Sequence, residues 1–125
     1  MKRIALVEDN VDNRALIAAI LDDVAGFELH EYIDGPSALE GMVSTRPDLV
    51  LLDISLPGMD GTEVLERIRG HAQLRELPVV VLTAHAMRGD RERFLGLGFD
   101  AYIGKPIVDE TELLETIHRL LGTSA

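Results

Sequence analysis

The sequence predicts an α/β domain in which a parallel, five-stranded sheet is covered by helices on both faces. Short apolar runs rich in β-branched residues alternate with amphipathic stretches, which is the pattern of repeated strand–helix units. Two of the runs, Leu49–Leu52 and Val79–Leu82, are apolar on both faces, as strands in the middle of such a sheet must be. The length of 125 residues fits one domain with a single core.

The five strand candidates are separated by the amphipathic stretches. They are Arg3–Val7, Glu28–Tyr32, Leu49–Leu52, Val79–Leu82 and Ala101–Ile103. The second run alternates polar and apolar residues, so one of its faces can be solvated. We therefore place this strand at an edge of the sheet.

Apolar residues recur at helical spacing between the strand candidates, so each of these helices should have one buried side. The clearest sets are Leu16, Ile17, Ile20, Leu21 and Val24, then Val64, Leu65 and Ile68, and finally Leu113, Leu114, Ile117, Leu120 and Leu121. Asp60 and Asp109 each precede a glutamate by three residues, which predicts two helix N-caps. Glycines near helix ends predict left-handed caps at Gly26, Gly70, Gly98 and Gly122.

The composition excludes several classes of function. Lys and Arg total 12 against 22 Asp and Glu, and the net charge of −10 repels nucleic acid and anionic membranes, so neither is expected as a partner. The absence of cysteine excludes disulfides, thiolate metal sites and cysteine nucleophiles. The first apolar run is too short for a signal peptide or a membrane span, and we expect a cytoplasmic protein.

Polar residues lie where the predicted strands end. Glu8 and Asp9 follow the first strand and Asp53 the third, while Thr83 and Lys105 follow the fourth and fifth. The carboxyl ends of parallel strands share one edge of the sheet, where ligands of such folds bind, so these side chains should converge. Three carboxylates at one place repel one another unless a cation is present. Oxygen ligands without His or Cys favour Mg²⁺ or Mn²⁺ over zinc.

The chain resembles the response-regulator receiver domains over essentially its whole length. The resemblance rests on the segments Val7–Asn10, Leu51–Gly61, Leu82–Ala84 and Tyr102–Pro106. It implies a flavodoxin-like, CheY-like fold with strand order 2-1-3-4-5. Within the family, the pattern around Thr83 and Lys105 is most similar to the stand-alone, DivK-like regulators. Residues 1–125 would then be one receiver domain, and we expect no output domain.

The resemblance implies a signalling domain in a two-component system, whose only chemistry is self-catalysed phosphoryl transfer and autodephosphorylation. Asp53 would accept the phosphoryl group from a histidine kinase or a histidine phosphotransfer protein. Asp9, Asp53 and the backbone carbonyl of Ser55 would bind Mg²⁺ or Mn²⁺, and Glu8 would reach the ion directly or through water.

The remaining roles implied by the resemblance concern binding and switching. Thr83, Ala84 and Lys105 would bind the phosphoryl group, and Thr83 and Tyr102 would form the switch. The switch would alter a protein-binding face made by the fourth helix, the fifth strand and the fifth helix. We expect a monomer, or a weak dimer that forms on activation.

Three positions carry expectations of their own. Position 8 is Glu where many members of the family have Asp, and the additional methylene is expected to push the carboxylate outward. Ser55 and His85 lie two residues beyond Asp53 and Thr83, where they would flank the path of a hydrolytic water. These two residues are expected to tune the lifetime of the phosphoryl group.

Three alternatives remain open at this point. A haloacid-dehalogenase-like phosphatase also combines an aspartate nucleophile with Mg²⁺, but it needs a second aspartate two residues later, where Ser55 stands. A flavodoxin-like FMN carrier shares the topology, but Glu8 and Asp9 would repel the cofactor phosphate. A degenerate receiver that is never phosphorylated is opposed by the presence of Asp53, Thr83 and Lys105.

Overall fold

The computed structural model describes residues 2–24, 26–84, 89–105, 107 and 110–122, without the side chains of residues 22–24. Within these residues, the five strands are β1 (Arg3–Val7), β2 (Glu28–Tyr32), β3 (Leu49–Asp53), β4 (Val79–Thr83) and β5 (Ala101–Gly104). The five α-helices of the same residues are α1 (Val11–Ala18), α2 (Gly35–Ser44), α3 (Gly61–Gly70), α4 (Asp90–Leu97) and α5 (Glu110–Leu121). A π-helical segment, Ala19–Val24, continues α1. No helix in these ranges is long and apolar enough to cross a membrane.

The sheet is parallel and has the order β2-β1-β3-β4-β5, so the predicted topology is confirmed. β2 lies at an edge, as its alternating sequence predicts, and every residue of β3 and β4 is buried. Asp53 and Thr83 are the last residues of their strands rather than the first residues after them. The strand order reverses beside β1 and β3, which makes the carboxyl ends of these strands the expected place for a ligand.

Each face of the sheet packs against its own helices. Successive residues of a strand point to opposite faces, so β1 contributes Ala5 and Val7 to one core and Ile4 and Leu6 to the other. The first core contains residues of α2, α3 and α4, and the second contains residues of α1 and α5. Burial of one large aliphatic side chain contributes roughly 1.5–3 kcal/mol, so these two cores hold the strand ends rigidly in place.

Two predicted details of the helices are wrong. Leu16 was expected on the buried side of α1, but 42% of its surface is exposed. Ile17, the next residue, is buried. Because consecutive residues of a helix lie about 100° apart around its axis, a helix that points Ile17 at the core turns Leu16 towards solvent. Gly70 was expected to be a left-handed cap, but it is the last residue of α3, and His71 follows it in an extended conformation. The left-handed conformation is confirmed for Gly26, Gly98 and Gly122.

Side chains cap the N-termini of the helices near the site. The carboxylate of Asp60 accepts a hydrogen bond from the N–H of Glu63 at 3.0 Å, which confirms the predicted cap of α3. Asn10 and Asp34 cap α1 and α2 in the same way. Satisfying these N–H groups fixes where each helix leaves the edge of the sheet. Asp109, the other predicted cap, lies outside the described residues.

Arg69 joins three elements at the end of the sheet opposite to the polar strand ends. Its guanidinium donates hydrogen bonds to the carbonyls of Leu77 at 2.7 Å and Gly98 at 2.8 Å, and to the Asp100 carboxylate at 2.9 Å. The same carboxylate accepts the N–H of Val79 at 2.8 Å. These charge-assisted bonds tie α3 to the starts of β4 and β5.

Candidate functional site

Three carboxylates converge at the carboxyl edge of the sheet. One oxygen from each of Glu8, Asp9 and Asp53 lies within 4.8 Å of the others. Asp53 ends β3, and the other two residues follow β1, which is the neighbouring strand. The pairing of Val7 with Leu52 keeps the two strand ends in register. The structure thus brings together the three carboxylates that the strand ends predict.

Lys105 bridges two of these carboxylates. Its ammonium lies 2.9 Å from Oε1 of Glu8 and 3.0 Å from Oδ2 of Asp53. The backbone N–H of Lys105 donates to the carbonyl of Thr83 at 2.7 Å, which holds the start of its loop against β4. The side chains of Lys105, Glu8 and Asp53 are 10%, 0% and 3% exposed, so water screens their interaction weakly.

The ionisation of this cluster is perturbed. Burial raises the pKa of Glu8 to about 7, and contact with Asp53 acts in the same direction, while Lys105 opposes both. Burial acts to lower the pKa of Lys105, but its hydrogen bonds to Glu8 and Asp53 outweigh burial and raise that pKa. Two buried carboxylates therefore compete for one ammonium, and an additional cation would relieve their repulsion.

The orientation expected for Glu8 is wrong. Its carboxylate was expected to point outward, but the residue is 0% exposed. The additional methylene instead allows the carboxylate to reach Lys105, while its second oxygen accepts the N–H of Asn10 at 3.3 Å. The longer side chain is thus turned into the site.

The loop between β1 and α1 is held by Arg14, which sequence reasoning missed. One guanidinium nitrogen donates to the backbone carbonyls of Glu8 at 3.0 Å and Asp9 at 3.1 Å. The N–H of Arg14 also bonds to the carbonyl of Asn10, which is the cap of α1. The spacing in the sequence could have revealed this role, because an arginine about one helical turn after a helix cap is close enough to donate to the loop before that cap.

The loop between β3 and α3 depends on a glycine. The N–H of Ser55 donates to Oδ1 of Asp53 at 3.1 Å, and the N–H of Gly61 donates to the carbonyl of Ile54 at 2.9 Å. A Cβ atom at position 61 would lie 2.7 Å from both the carbonyl oxygen of Asp53 and Cα of Ile54. Only glycine allows α3 to begin so close to the strand end. His85, paired with Ser55 in the sequence prediction, lies outside the described residues.

Gly61→Ala should therefore destabilise the protein by about 2 kcal/mol, because backbone atoms have to move to admit the methyl group. Gly70→Ala, at the other end of α3, is the matched control, since its Cβ would meet nothing within 4 Å. We expect that control to be neutral, or to gain up to about 1 kcal/mol from the better helix propensity of alanine. Urea denaturation measures both effects, and equal stability of the two variants would contradict the close approach at Gly61.

The other predicted residues occupy the neighbouring strands. Thr83 is buried at the end of β4, and Ala84, the next residue, is exposed. Tyr102 is half-buried on β5, and its ring stacks on that of Phe94 of α4, with 5.9 Å between the centroids. Burial raises the pKa of Tyr102, and the nearby Asp90 acts in the same direction.

The donor set suits a hard divalent cation. All three side chains offer carboxylate oxygens, which Mg²⁺ and Mn²⁺ prefer. Two of the carboxylates are buried and share a single ammonium, so the cluster carries excess negative charge when all three are ionised. The residues of this site therefore fit Mg²⁺.

Comparison with known proteins agrees with the fold. Residues 4–118 match the response regulator receiver domain family. The chain is 40% identical over 121 residues to the polar-differentiation response regulator DivK of Brucella anthropi, and the match covers 97% of each chain.

Solved structures give the same result. The receiver domain of a sensor histidine kinase from Pseudomonas aeruginosa has a TM-score of 0.87 at 35% identity, covers 98% of both chains and holds a magnesium ion in its active-site cleft. A chemotaxis response regulator of Vibrio cholerae has a TM-score of 0.86 at 27% identity, with 96% of this chain and 98% of that chain covered.

The family match includes the carboxyl ends of all five strands, so it covers the acidic cluster and Lys105 as well as the sheet. The match to DivK covers 97% of each chain, and its sequence identity of 40% is high enough to show that the two chains belong to one family. This chain therefore belongs to the response regulator receiver domains, the signalling domains of two-component systems that histidine kinases or phosphotransfer proteins phosphorylate.

Proposed function

We propose that Asp53 accepts the phosphoryl group, with a Mg²⁺ ion held by Glu8, Asp9, Asp53 and the backbone carbonyl of Ser55. The observation that carries this proposal is the position of Asp53 at the end of a central strand, with the other two carboxylates of the cluster on the β1 side and β4 on the other side. Asp53 pairs with Leu82, so Thr83 and Ala84 extend just beyond it. Its oxygen also lies 3.0 Å from the ammonium of Lys105.

Glu8 shares the cluster and the contact with Lys105, but it is a weaker candidate for the nucleophile. Both of its oxygens already have partners, the ammonium of Lys105 at 2.9 Å and the N–H of Asn10 at 3.3 Å. Glu8 lies on the side of Asp53 away from β4, because β1 and β4 flank β3. A phosphoryl group on Asp53 would be within reach of more donors.

In the transfer step, a carboxylate oxygen of Asp53 attacks the phosphorus atom of a phosphohistidine on the partner. The new O–P bond forms as the P–N bond breaks and its electron pair stays on the ring nitrogen. With a proton on the other ring nitrogen of the phosphohistidine, this leaves an acyl phosphate on Asp53 and a neutral histidine on the donor. The bound cation would neutralise negative charge on the transferring group. Lys105 would exchange its contact with Asp53 for one with a phosphoryl oxygen, while the Thr83 hydroxyl and the Ala84 N–H would donate to another.

The output is a change in protein binding at the face formed by α4, β5 and α5. Tyr102 of β5 stacks on Phe94 of α4, so a movement of Tyr102 would change how that helix packs against the sheet. Thr83 would draw towards the phosphoryl group and so bias the position of Tyr102 by population shift. The protein would be a monomer, or a weak dimer after activation, and loss of the phosphoryl group to water would be its only turnover.

Treatment of the native protein with a small phosphodonor such as acetyl phosphate tests the proposal. With Mg²⁺ present, the intact mass should rise by about 80 Da, the mass of one phosphoryl group. The adduct should disappear in hydroxylamine, because acyl phosphates are labile to it, and little of it should form when the divalent cation is chelated. Many turnovers of released phosphate without a lasting adduct would instead indicate a phosphatase, and no modification would indicate a degenerate receiver.

A further inference from the structure

We infer that Arg14 is a positioning residue for the metal site, because its guanidinium fixes the backbone that carries two of the three acidic ligands. The inference rests on the proposed binding of a divalent cation by Glu8, Asp9 and Asp53. It concerns a residue of α1 that contributes no ligand atom. Its effect would pass through the backbone of the loop between β1 and α1.

The contacts of Arg14 go to backbone atoms of the two acidic residues. One nitrogen, Nη1, donates to the carbonyl oxygens of Glu8 and Asp9 at 3.0 and 3.1 Å. The carboxylate near Arg14 is that of Glu31 on β2, 3.7 Å from Nε. The guanidinium thus lies between the edge strand and the loop, with its side chain only 20% exposed.

The loop is anchored at both ends, by α1 on one side and by β2 on the other. Asn10 caps the helix by accepting the N–H of Asn13 at 2.9 Å, and the N–H of Arg14 bonds to the carbonyl of Asn10 at 3.0 Å. On the strand side, the N–H of Glu8 bonds to the carbonyl of Tyr32 at 3.0 Å. Arg14 bonds the two carbonyls between these anchors, so the peptide planes of Glu8 and Asp9 are fixed.

Two physical effects of Arg14 on the metal have opposite signs. As a positive charge near the site, Arg14 repels a divalent cation, so its removal alone would strengthen metal binding. As a donor to the loop carbonyls, it orients the acidic ligands before the metal arrives, so its removal would weaken binding. Orientation dominates, because a single nitrogen bonds both carbonyls at ordinary hydrogen-bond lengths and the side chain of Arg14 is only 20% exposed.

Mn²⁺ binding, measured from the electron paramagnetic resonance signal of free Mn²⁺, distinguishes the two signs. Arg14→Gln should bind Mn²⁺ about tenfold more weakly than the native protein, in the range found for residues that orient metal ligands. Arg46→Gln is the matched control, since Arg46 donates from Nε to the carbonyl of Gln73 at 2.9 Å but precedes β3, at the far end of the sheet. Its affinity should stay within about twofold of native, although it loses the same charge.

Glu31→Gln tests whether the ion pair rather than the carbonyl contacts matters. It removes the partner at 3.7 Å and leaves the bonds to Glu8 and Asp9, so affinity should again stay within about twofold. Far-UV circular dichroism at the assay temperature verifies that each variant is folded. Equal or tighter binding by Arg14→Gln, or an equal loss in Glu31→Gln or Arg46→Gln, would overturn the inference. If the native protein does not bind Mn²⁺, the proposed metal site fails, and the inference fails with it.

Discussion

Asp53→Asn should abolish the hydroxylamine-sensitive adduct under conditions in which the native protein is modified. The amide that replaces the carboxylate is not a nucleophile towards phosphorus, and the change also removes one of the three acidic side chains of the site. Glu8 remains close to Lys105, but it lies on the side of position 53 away from β4, so a phosphoryl group on it would be farther from Thr83 and Ala84. Intact mass after treatment with acetyl phosphate and Mg²⁺ gives the result directly.

A matched control separates loss of chemistry from loss of structure. Asp60→Asn changes an exposed acid on the same loop, and asparagine caps a helix as well as aspartate does, so the adduct should still form. In metal-free buffer, the melting temperature of Asp53→Asn should be no lower than that of the native protein. The substitution removes one of the two buried carboxylates that share Lys105 and so relieves their repulsion. An adduct on Asp53→Asn, or peptide mass data that locate the native adduct at Glu8, would refute the assignment of Asp53.

The sequence predicts the framework of this fold well because its signals are local. Apolar runs such as Val79–Leu82 determine which strands are buried, and the alternation in Glu28–Tyr32 marks the edge strand. The strand order itself came from the resemblance to receiver domains, since no local pattern states which strands are neighbours. The exposure of Leu16 shows the limit of a local pattern, because one apolar residue beside a helical stripe need not belong to it.

The site was predicted in its residue set but not in its contacts. The inward turn of Glu8 depends on Lys105, which is 97 positions away in the chain, so spacing alone could not reveal their ion pair. Likewise, the need for glycine at position 61 arises from the carbonyl of Asp53, which approaches it only after the strand and helix have packed. Arg14 was overlooked because its partners are backbone carbonyls. Every residue has such a carbonyl, so no particular residue type in the sequence marks the contact.

Lys105→Met should destabilise the metal-free protein by about 3 kcal/mol at neutral pH, because it leaves two buried carboxylates without their shared cation. Methionine keeps most of the volume of the lysine side chain, so a cavity contributes little. Thermal or urea unfolding measures the change. Lys2→Met, at an exposed position before β1, is the matched control and should stay within about 0.5 kcal/mol of native.

The effect of Lys105→Met should depend on pH in a direction set by Glu8. Its pKa is raised in the folded protein from an ordinary value of 4.5 to about 7, so its protonation stabilises the folded state below about 4.5 and this contribution is lost as the pH rises towards 7. Lys105 opposes the rise of that pKa, so the variant should raise it further and move the loss to higher pH. Below about pH 6 Glu8 is protonated in both folded proteins, so the gap between variant and native should be nearly constant there and should widen as the pH rises through about 7.

Two further measurements identify carboxylate repulsion as the cause of the destabilisation by Lys105→Met. Adding Glu8→Gln to Lys105→Met removes one of the two facing charges, so the double variant should be more stable than the single one. Saturating Mg²⁺ should raise the melting temperature of Lys105→Met more than that of the native protein, because the ion would bind carboxylates that no ammonium occupies. A double variant that is less stable than Lys105→Met, or a Mg²⁺ response no larger than that of the native protein, would show that Lys105 does not act by neutralising Glu8 and Asp53.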